Sequence, residues 1–480
     1  MTKAYKDLRE FLQTLEEEGQ LIRIKEEVDP EPDIGAAGRA CANMEKKPAV
    51  LFEKVKGYKY SVVTNVHGSW ANHALMLGMP KDTPVKEQFY ELNRRWDKFP
   101  IPPTILSREQ ATCKENTVTG NINLFDILPL YRINDQDGGF FLSKASIITA
   151  DPDELENMDK LNVGIYRIQV KDVDRVGIQA LPFHDIAIQL RKSEELNEPF
   201  PVAIALGNTP LVSFMASTPV AYDQNEYEFV GALQDGVPTE VVAADTAPHL
   251  YVPAHAEVIL EGYIIPRVRT CEGPFGEFPG SYSGARLQCE IKITHITHRN
   301  NPIFENLYLG MPWTEIDYLM ALNTSVPLFK QIQATIPEVV AVNGMYTHGI
   351  GEIISVKSRF GGFAKSAAFR LLCTPHGTAY AKIIILVDEF VDPFNLDQVM
   401  WALTTRVKPS KDVSIIQNCA GMPLDPSSVP AGMHDKLIID ATTPVPPEPN
   451  PRAVEMVQPS PATPKWEAIF RDFMAAQKSQ

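Results

Sequence analysis

Residues 256–296 read AEVILEGYIIPRVRTCEGPFGEFPGSYSGARLQCEIKITHI. The two ends, AEVILEGYII and RLQCEIKITHI, are rich in apolar and β-branched residues and read as strands. Between them EGPFGEFPG (272–280) sets Glu272 and Glu277 five residues apart among glycines, prolines and phenylalanines. In an extended strand, residues five apart face opposite ways and lie ~17 Å apart, so the two acids could not share a task. Pro274 fixes its own φ, while Gly273 and Gly276 admit conformations closed to other residues. The segment can therefore turn and bring both carboxylates to one side.

Outward from this stretch, strand signals dominate from about 139 to 308: FFLSKASIITA, VGIYRIQV, VGIQAL, PVAIALG, TEVVAA and PIFENLYL join the two already quoted. Many strands with few helices between them suggest a closed or half-closed barrel, interrupted by helices at HDIAIQLRKSEEL and QNEYEFVGALQDG. Upstream, Leu8, Phe11, Leu12 and Leu15 fall at helical spacing before the strand LIRIKEEV, and KFPIPPT (98–104) marks a linker. After Pro312, PWTEIDYLMALN, VVAVNGMY, GEIISVKS, FAKSAAFRLL, AKIIILVDE and LDQVMWALTTR alternate helix with strand, as in a layered α/β domain. Eight prolines between 444 and 464 predict an extended arm. Trp466, Ile469, Phe470 and Phe473 then form a short amphipathic helix, whose apolar face is expected to dock on this chain or on a neighbouring subunit.

The chain has 480 residues, 44% of them hydrophobic and 22% charged, which is the composition of a globular protein with two or three domains. A net charge of -15 without basic runs argues against nucleic acid and anionic membranes as partners. The acidic amphipathic N-terminus and the lack of an 18- to 20-residue apolar run predict a cytoplasmic protein bound to a small molecule. The six cysteines, Cys41, Cys113, Cys271, Cys289, Cys373 and Cys419, show no paired spacing, so neither a disulfide framework nor a zinc cluster is expected. Most should be buried thiols, with Cys271 packing beside the acid pair.

Several chemistries are set aside. There is no Walker loop, GIGEII lacks the third glycine of a dinucleotide fingerprint, and no His-Glu-x-x-His helix occurs. GSYSG carries Tyr282 where a nucleophile elbow needs serine, and His295 and His298 fall on opposite faces of a strand. What remains is the acid pair. Two carboxylates held close cannot both ionise cheaply, and desolvation by Phe275 and Phe278 would keep one protonated as a general acid. The other reading of these residue types is a solvated turn with two surface acids. NVGIYR (162–167) adds an amide and a guanidinium, the latter suited to a two-pronged grip on a carboxylate. Asn162 and Arg167 would face opposite ways on one regular strand. Sharing a site requires a bulge at Gly164 or, the favoured option, Asn162 lying before the strand begins.

In this order, with NEYEFVGAL between them and WALTTRVKP and IIDATTP near the end, these motifs resemble the UbiD family of decarboxylases that use prenylated FMN. The similarity runs from about residue 4 to residue 445. RWDKFPI, INLFDILPL, YLGMPWTEIDYLM, MYTHG and DPFNLDQVMWAL look most like the large subunit of bacterial hydroxybenzoate- and vanillate-type phenolic acid decarboxylases. The resemblance implies an α/β (α+β) chain in four parts. These are an N-terminal α/β domain (1–109), a central split β-barrel of flavin-reductase type that binds prenylated FMN (110–310), a C-terminal layered α/β oligomerisation domain (311–443), and the Pro-rich arm with its helix (444–480).

By the same resemblance Asn162, His184 and Glu226 hold a divalent metal, usually manganese, between protein and cofactor phosphate, with potassium nearby. Oxygen donors with one imidazole suit manganese. A histidine at position 184 would equally cap the helix that follows. Ile165, Tyr166 and Arg167 line the flavin with Gln179, Ala180 and Leu181, and Lys382 contacts the cofactor. Arg167, Glu272 and Glu277 match the family's catalytic network, and Trp313 and Glu315 are expected to border the substrate ring, Glu315 at its phenolic hydroxyl. The implied activity is reversible non-oxidative decarboxylation of 4-hydroxybenzoate, vanillate or 3,4-dihydroxybenzoate. A flavin prenyltransferase would mature the cofactor, small accessory subunits would join, and the chain would form a dimer or hexamer. The alternatives are a decarboxylase of cinnamate-like or polyprenylated acids, or a flavin-binding scaffold subunit.

Overall fold

The computed structural model describes residues 4–311, 313–346, 349–449, 457 and 459–478. Thr347 and His348 of MYTHG and much of the proline-rich stretch lie outside them. The N-terminal helix Leu8–Glu17 starts where the Asp7 side chain accepts the Glu10 N–H, and it buries Leu8, Phe11, Leu12 and Leu15, the four residues of the helical stripe. It packs near a four-stranded sheet ordered Leu21–Val28, Ala49–Val55, Ser61–Thr64 and Ile303–Glu305. The last strand begins 239 residues downstream of its neighbour's end: PIFENLYL completes the N-terminal sheet rather than the central one.

The central sheet has nine strands. Its order is Phe141–Leu142, Ile168–Asp172, Arg175–Ile178, Arg286–His298, Val258–Glu272, Phe200–Leu206, Ser146–Ala150 and Leu161–Ile165, with Asn116–Thr119 paired to Arg286–His298. At its centre is the hairpin made by the two strands quoted at the outset, paired antiparallel from Val258↔His298 to Glu272↔Arg286. The register slips between Ile264 and Arg269, the interval that contains Pro266, which has no N–H for the ladder. Beyond the slip the hairpin carries its tip, residues 273–285, away from the sheet's middle. TEVVAA lies elsewhere, in a three-stranded sheet between Tyr251–Pro253 and Thr104–Ile105.

The last layer is a five-stranded mixed sheet ordered Val339–Tyr346, Gly351–Val356, Ile383–Asp388, Met433–Asp440 and Val413–Ala420. The parallel pair Gly351–Val356 and Ile383–Asp388 is joined through the helices Phe363–Leu372 and Pro375–Ala379, as parallel neighbours require. In the terminal helix Thr463–Lys478, Trp466, Ile469, Phe470 and Phe473 are all exposed, so none of the described residues covers the apolar face. No helix among the described residues is long and apolar enough to cross a membrane.

All six cysteines are free thiols, but only Cys41, Cys113 and Cys289 are buried. Cys271 is exposed, which corrects the expectation of packing. Strand alternation turns Glu272 inward and its neighbour outward on the projecting hairpin.

Candidate active site

Arg167 sits in the two-residue gap between strands Leu161–Ile165 and Ile168–Asp172. VGIYRIQV is thus two strands, and Asn162 lies within the first rather than before it. The parity problem is solved at the other end, because Arg167 is freed from the pleat. Gly164 assists without forming a bulge. A Cβ there would stand 2.5 Å from the Tyr166 ring, so only glycine lets that ring fold back over the strand.

The hairpin tip meets Arg167 from the other side. Its Nε and Nη2 donate to the two carboxyl oxygens of Glu272 at 2.9 and 2.7 Å. Nη1 donates to Glu277 and, at 3.0 Å, to the Ser283 hydroxyl. Glu272 is fully buried, and Glu277 is 5% exposed. The solvated-turn reading is thereby excluded. Burial pushes the Glu272 carboxyl above the usual range even against the pull of Arg167. Phe275 lies beneath the guanidinium, 5.7 Å from its carbon.

The turn that unites the acids is held from outside. Gly273 adopts φ +94°, closed to residues with a Cβ. Asp137, 5% exposed, accepts the N–H of Gly276 at 2.8 Å and that of Asn134 at 2.8 Å. Gly138 N–H donates to the Pro274 carbonyl at 2.7 Å. Ser283 Oγ accepts the Phe275 N–H at 3.2 Å besides its bond from Arg167. Sequence reasoning missed Asp137 and Ser283. INDQDGG reads only as a turn, and its partner is 139 residues away.

A second group lies along Leu161–Ile165. Asn162 is buried, donates to Thr149 Oγ1 at 3.1 Å, and its Oδ1 is 3.5 Å from the Tyr166 hydroxyl. The Tyr166 ring is 5.3 Å from that of His184. His184 occupies the N-cap of helix Asp185–Leu196, yet its side chain makes no cap bond; Nδ1 instead accepts the Leu181 N–H at 3.3 Å. Glu226 opens helix Glu226–Leu233 and accepts the Val163 N–H at 3.1 Å. Its carboxyl is buried without a basic side chain bonded to it, and burial, with Asp185 nearby, raises its pKa far above the usual range. Burial lifts Asp185 to about 6. The buried Glu226 and the half-buried Asp185, with no cation beside them among the described residues and next to an amide and an imidazole, suit a divalent oxygen-seeking ion. The flavin-lining residues fit a polar ligand in the same way, for Gln179 is buried with its Nε2 lacking a partner.

Three further predicted residues have partners outside the Arg167 hydrogen-bond network. Lys382 is paired with Asp425 at 2.8 Å and bonded to Ser427, outside the Arg167 group. Trp313 packs edge-on against Trp70 and Tyr318 and lines an open groove with Phe394 and Asn395. Glu315 is 1% exposed, and its oxygens take Lys144 Nζ at 2.6 Å and the N–H groups of Asn65 and His67 at 2.7 and 3.0 Å. Three donors from within the protein already occupy most of its acceptor positions, which argues against it as the partner of a substrate hydroxyl. Lys144 also donates to Glu305 at 2.6 Å and to His67 Nδ1 at 2.9 Å, completing a buried cluster. His295 bonds Asp245 and His298 bonds the Arg299 carbonyl, so the two rings serve separate partners.

Family models for 3-octaprenyl-4-hydroxybenzoate carboxy-lyases match the chain in three stretches: the N-terminal domain over residues 12–92, the Rift-related domain over 104–312 and the C-terminal domain over 317–441. A phenolic acid decarboxylase of Sedimentibacter hydroxybenzoicus is 72% identical over 99% of this chain and 100% of its own. The structure of the vanillic acid decarboxylase ShVdcCD from that organism, in closed form, superposes with a TM-score of 0.93 at 72% identity, covering 98% of this chain and 99% of that one. An evolved dimeric form of the UbiD-class enzyme HmfF from Pelotomaculum thermopropionicum, in complex with prenylated FMN, superposes at 0.81 with 30% identity, covering 96% and 98%. Fold and site together define a carboxy-lyase. The chain belongs to the UbiD family.

Proposed function

We propose that this chain releases carbon dioxide from a phenolic acid of the 4-hydroxybenzoate type, such as 4-hydroxybenzoate, vanillate or 3,4-dihydroxybenzoate, leaving the phenol. The supporting observation is one guanidinium gripped by two buried acids on a turn built to unite them. Arg167 orients the substrate carboxylate, Glu272 fixes Arg167, and Glu277 protonates the ring carbon as its bond to carbon dioxide breaks. Solvent then restores the proton to Glu277. In reverse, Glu277 accepts the ring proton, so carboxylation of the phenol follows at high bicarbonate.

Breaking that bond leaves electrons in the plane of the ring, where its π system cannot hold them, and no side chain accepts them well. Prenylated FMN supplies the electron sink when bound. Ile165, Tyr166, Arg167 and Gln179 to Leu181 would hold its ring, and Asn162, His184 and Glu226 a manganese ion, with potassium nearby. A flavin prenyltransferase matures the cofactor in this reading. The uncovered apolar face of the terminal helix supports assembly with a second copy, and small accessory subunits join the complex.

The test is the purified chain, produced with a flavin prenyltransferase and assayed on 4-hydroxybenzoate, vanillate, 3,4-dihydroxybenzoate and cinnamate. Carbon dioxide from the hydroxylated acids is expected. A loaded chain inert on all three would overturn the proposal.

A further inference from the structure

Glu352 lies on strand Gly351–Val356 of the C-terminal sheet, 1% exposed, and neither of its carboxyl oxygens has a hydrogen-bond partner among the described residues. Two glycine backbones approach it closely. A Cβ on Gly349 would come within 2.7 Å of Oε1, and one on Gly344 within 2.8 Å of Oε2. The Thr324 methyl stands 3.0 Å from both of those positions. Burial alone drives the Glu352 pKa well above the usual range, with no opposing charge at hand. A buried carboxyl in this condition is costly relative to a satisfied one, and such groups in native proteins call for a reason.

Its position supplies one. His376 Nε2 is 2.7 Å from the same Gly349 point, so imidazole and carboxyl converge there. The His376 ring stacks on Tyr380, with centroids 4.4 Å apart and planes at 2°. Tyr380 meets Phe183, the neighbour of His184, edge-on at 5.6 Å, and is close enough to Glu277 for that carboxylate to act on its phenol. The rings of His376 and Tyr380 thus run from Glu352 toward Glu277 of the hairpin tip.

We propose that Glu352, with His376 beside it, is the receptor for the ring hydroxyl of the phenolic acid, the place that the sequence assigned to Glu315. This rests on the decarboxylase reading above. A protonated carboxyl offers one acceptor and one donor, and a phenolic hydroxyl offers the same pair, so the two match. Accepting the phenolic O–H pushes electron density through the ring toward the carboxylated carbon, the carbon that Glu277 protonates. A methoxy group in that position cannot donate, and the receptor oxygen stays unpaired.

The experiment uses the full chain loaded with prenylated FMN. Dissociation constants for 4-hydroxybenzoate and 4-methoxybenzoate are measured by calorimetry on the wild type, Glu352→Leu and Glu352→Gln, together with kcat and KM for the former. The wild type should favour the hydroxyl over the methoxy compound by about 10- to 100-fold. Glu352→Leu should abolish that ratio by weakening only the hydroxylated ligand, while Glu352→Gln, which keeps an acceptor and a donor, retains most of it. Replacing an unsatisfied buried acid by an apolar residue should leave the melting temperature unchanged or higher. Equal affinities of the wild type for both ligands would overturn the receptor whether or not a variant folds, as would a preference that survives in Glu352→Leu. A loaded wild type that decarboxylates no hydroxybenzoate would instead sink the parent reading.

Discussion

Arg167 and Glu272 form a two-pronged pair, Nε and Nη2 each on its own carboxyl oxygen. That grip fixes the guanidinium plane and leaves Nη1 as the edge shared with Glu277. In the proposed reaction a substrate carboxylate that takes Nη1 would displace Glu277 and free its carboxyl to move a proton. Glu277→Gln, which keeps the shape but cannot transfer a proton, should lower turnover by about 10²- to 10⁴-fold. The flavin absorbance of the purified variant should match the wild type. Undiminished turnover would remove Glu277 as the acid.

Asp137 acts on the same acid through the backbone, since both its oxygens are spent on N–H groups of Asn134 and Gly276. Asp137→Asn must turn an amide NH₂ toward one of those donors. It should behave almost like Asp137→Ala, with a loss worth about 1–3 kcal/mol. We expect kcat for 4-hydroxybenzoate to fall about 10-fold or more, with cofactor still bound. Unaltered kcat in both variants would mean the turn holds without Asp137.

Glu226 predicts a crossing of stabilities. Without metal its buried carboxyl is uncompensated, so Glu226→Gln should melt at or above the wild type. With manganese at 100 times its dissociation constant the wild type gains about 2.7 kcal/mol and should melt higher, while the variant gains nothing. A manganese-induced shift of equal size in both proteins, followed by thermal melting, would place the ion elsewhere.

The sequence already held the acid pair, because glycine and proline at 273, 274 and 276 leave a turn as the way to join Glu272 to Glu277. It also held the elements, since apolar periodicity survives in helix Leu8–Glu17 and in the hairpin. What it could not hold was exchange between sheets. Ile303–Glu305 and Glu240–Ala243 look like any other strand, and only their long-range pairing sends them to other sheets. Nor could it separate Glu315 from Glu352. Both are acids in apolar surroundings, and they differ in whether a lysine 171 residues distant fills the space beside them.

That lysine makes a neighbour sensitive to acid. Lys144 Nζ donates to His67 Nδ1 at 2.9 Å, and His67 Nε2 is 3.1 Å from the Pro210 carbonyl. The ring must therefore be neutral, with its proton on Nε2; a second proton would set one donor against another. Burial, reinforced by Lys144, lowers its pKa from 6.5 to about 4. Between those values the unfolded chain takes up a proton that the folded chain refuses, so stability falls as pH drops from 6.5 to 4, by about 3 kcal/mol. Glu315, held at about 2 by Lys144 against burial, adds the same sign below its ordinary 4.5, whereas Glu305, raised by burial, opposes it above. His67→Gln keeps an acceptor for Lys144 and a donor for Pro210 but cannot titrate. Urea midpoints at pH 4.5, 5.5 and 6.5 should converge on those of the wild type at the acid end, the variant showing the shallower slope. Parallel slopes would mean that His67 is already protonated in the folded protein.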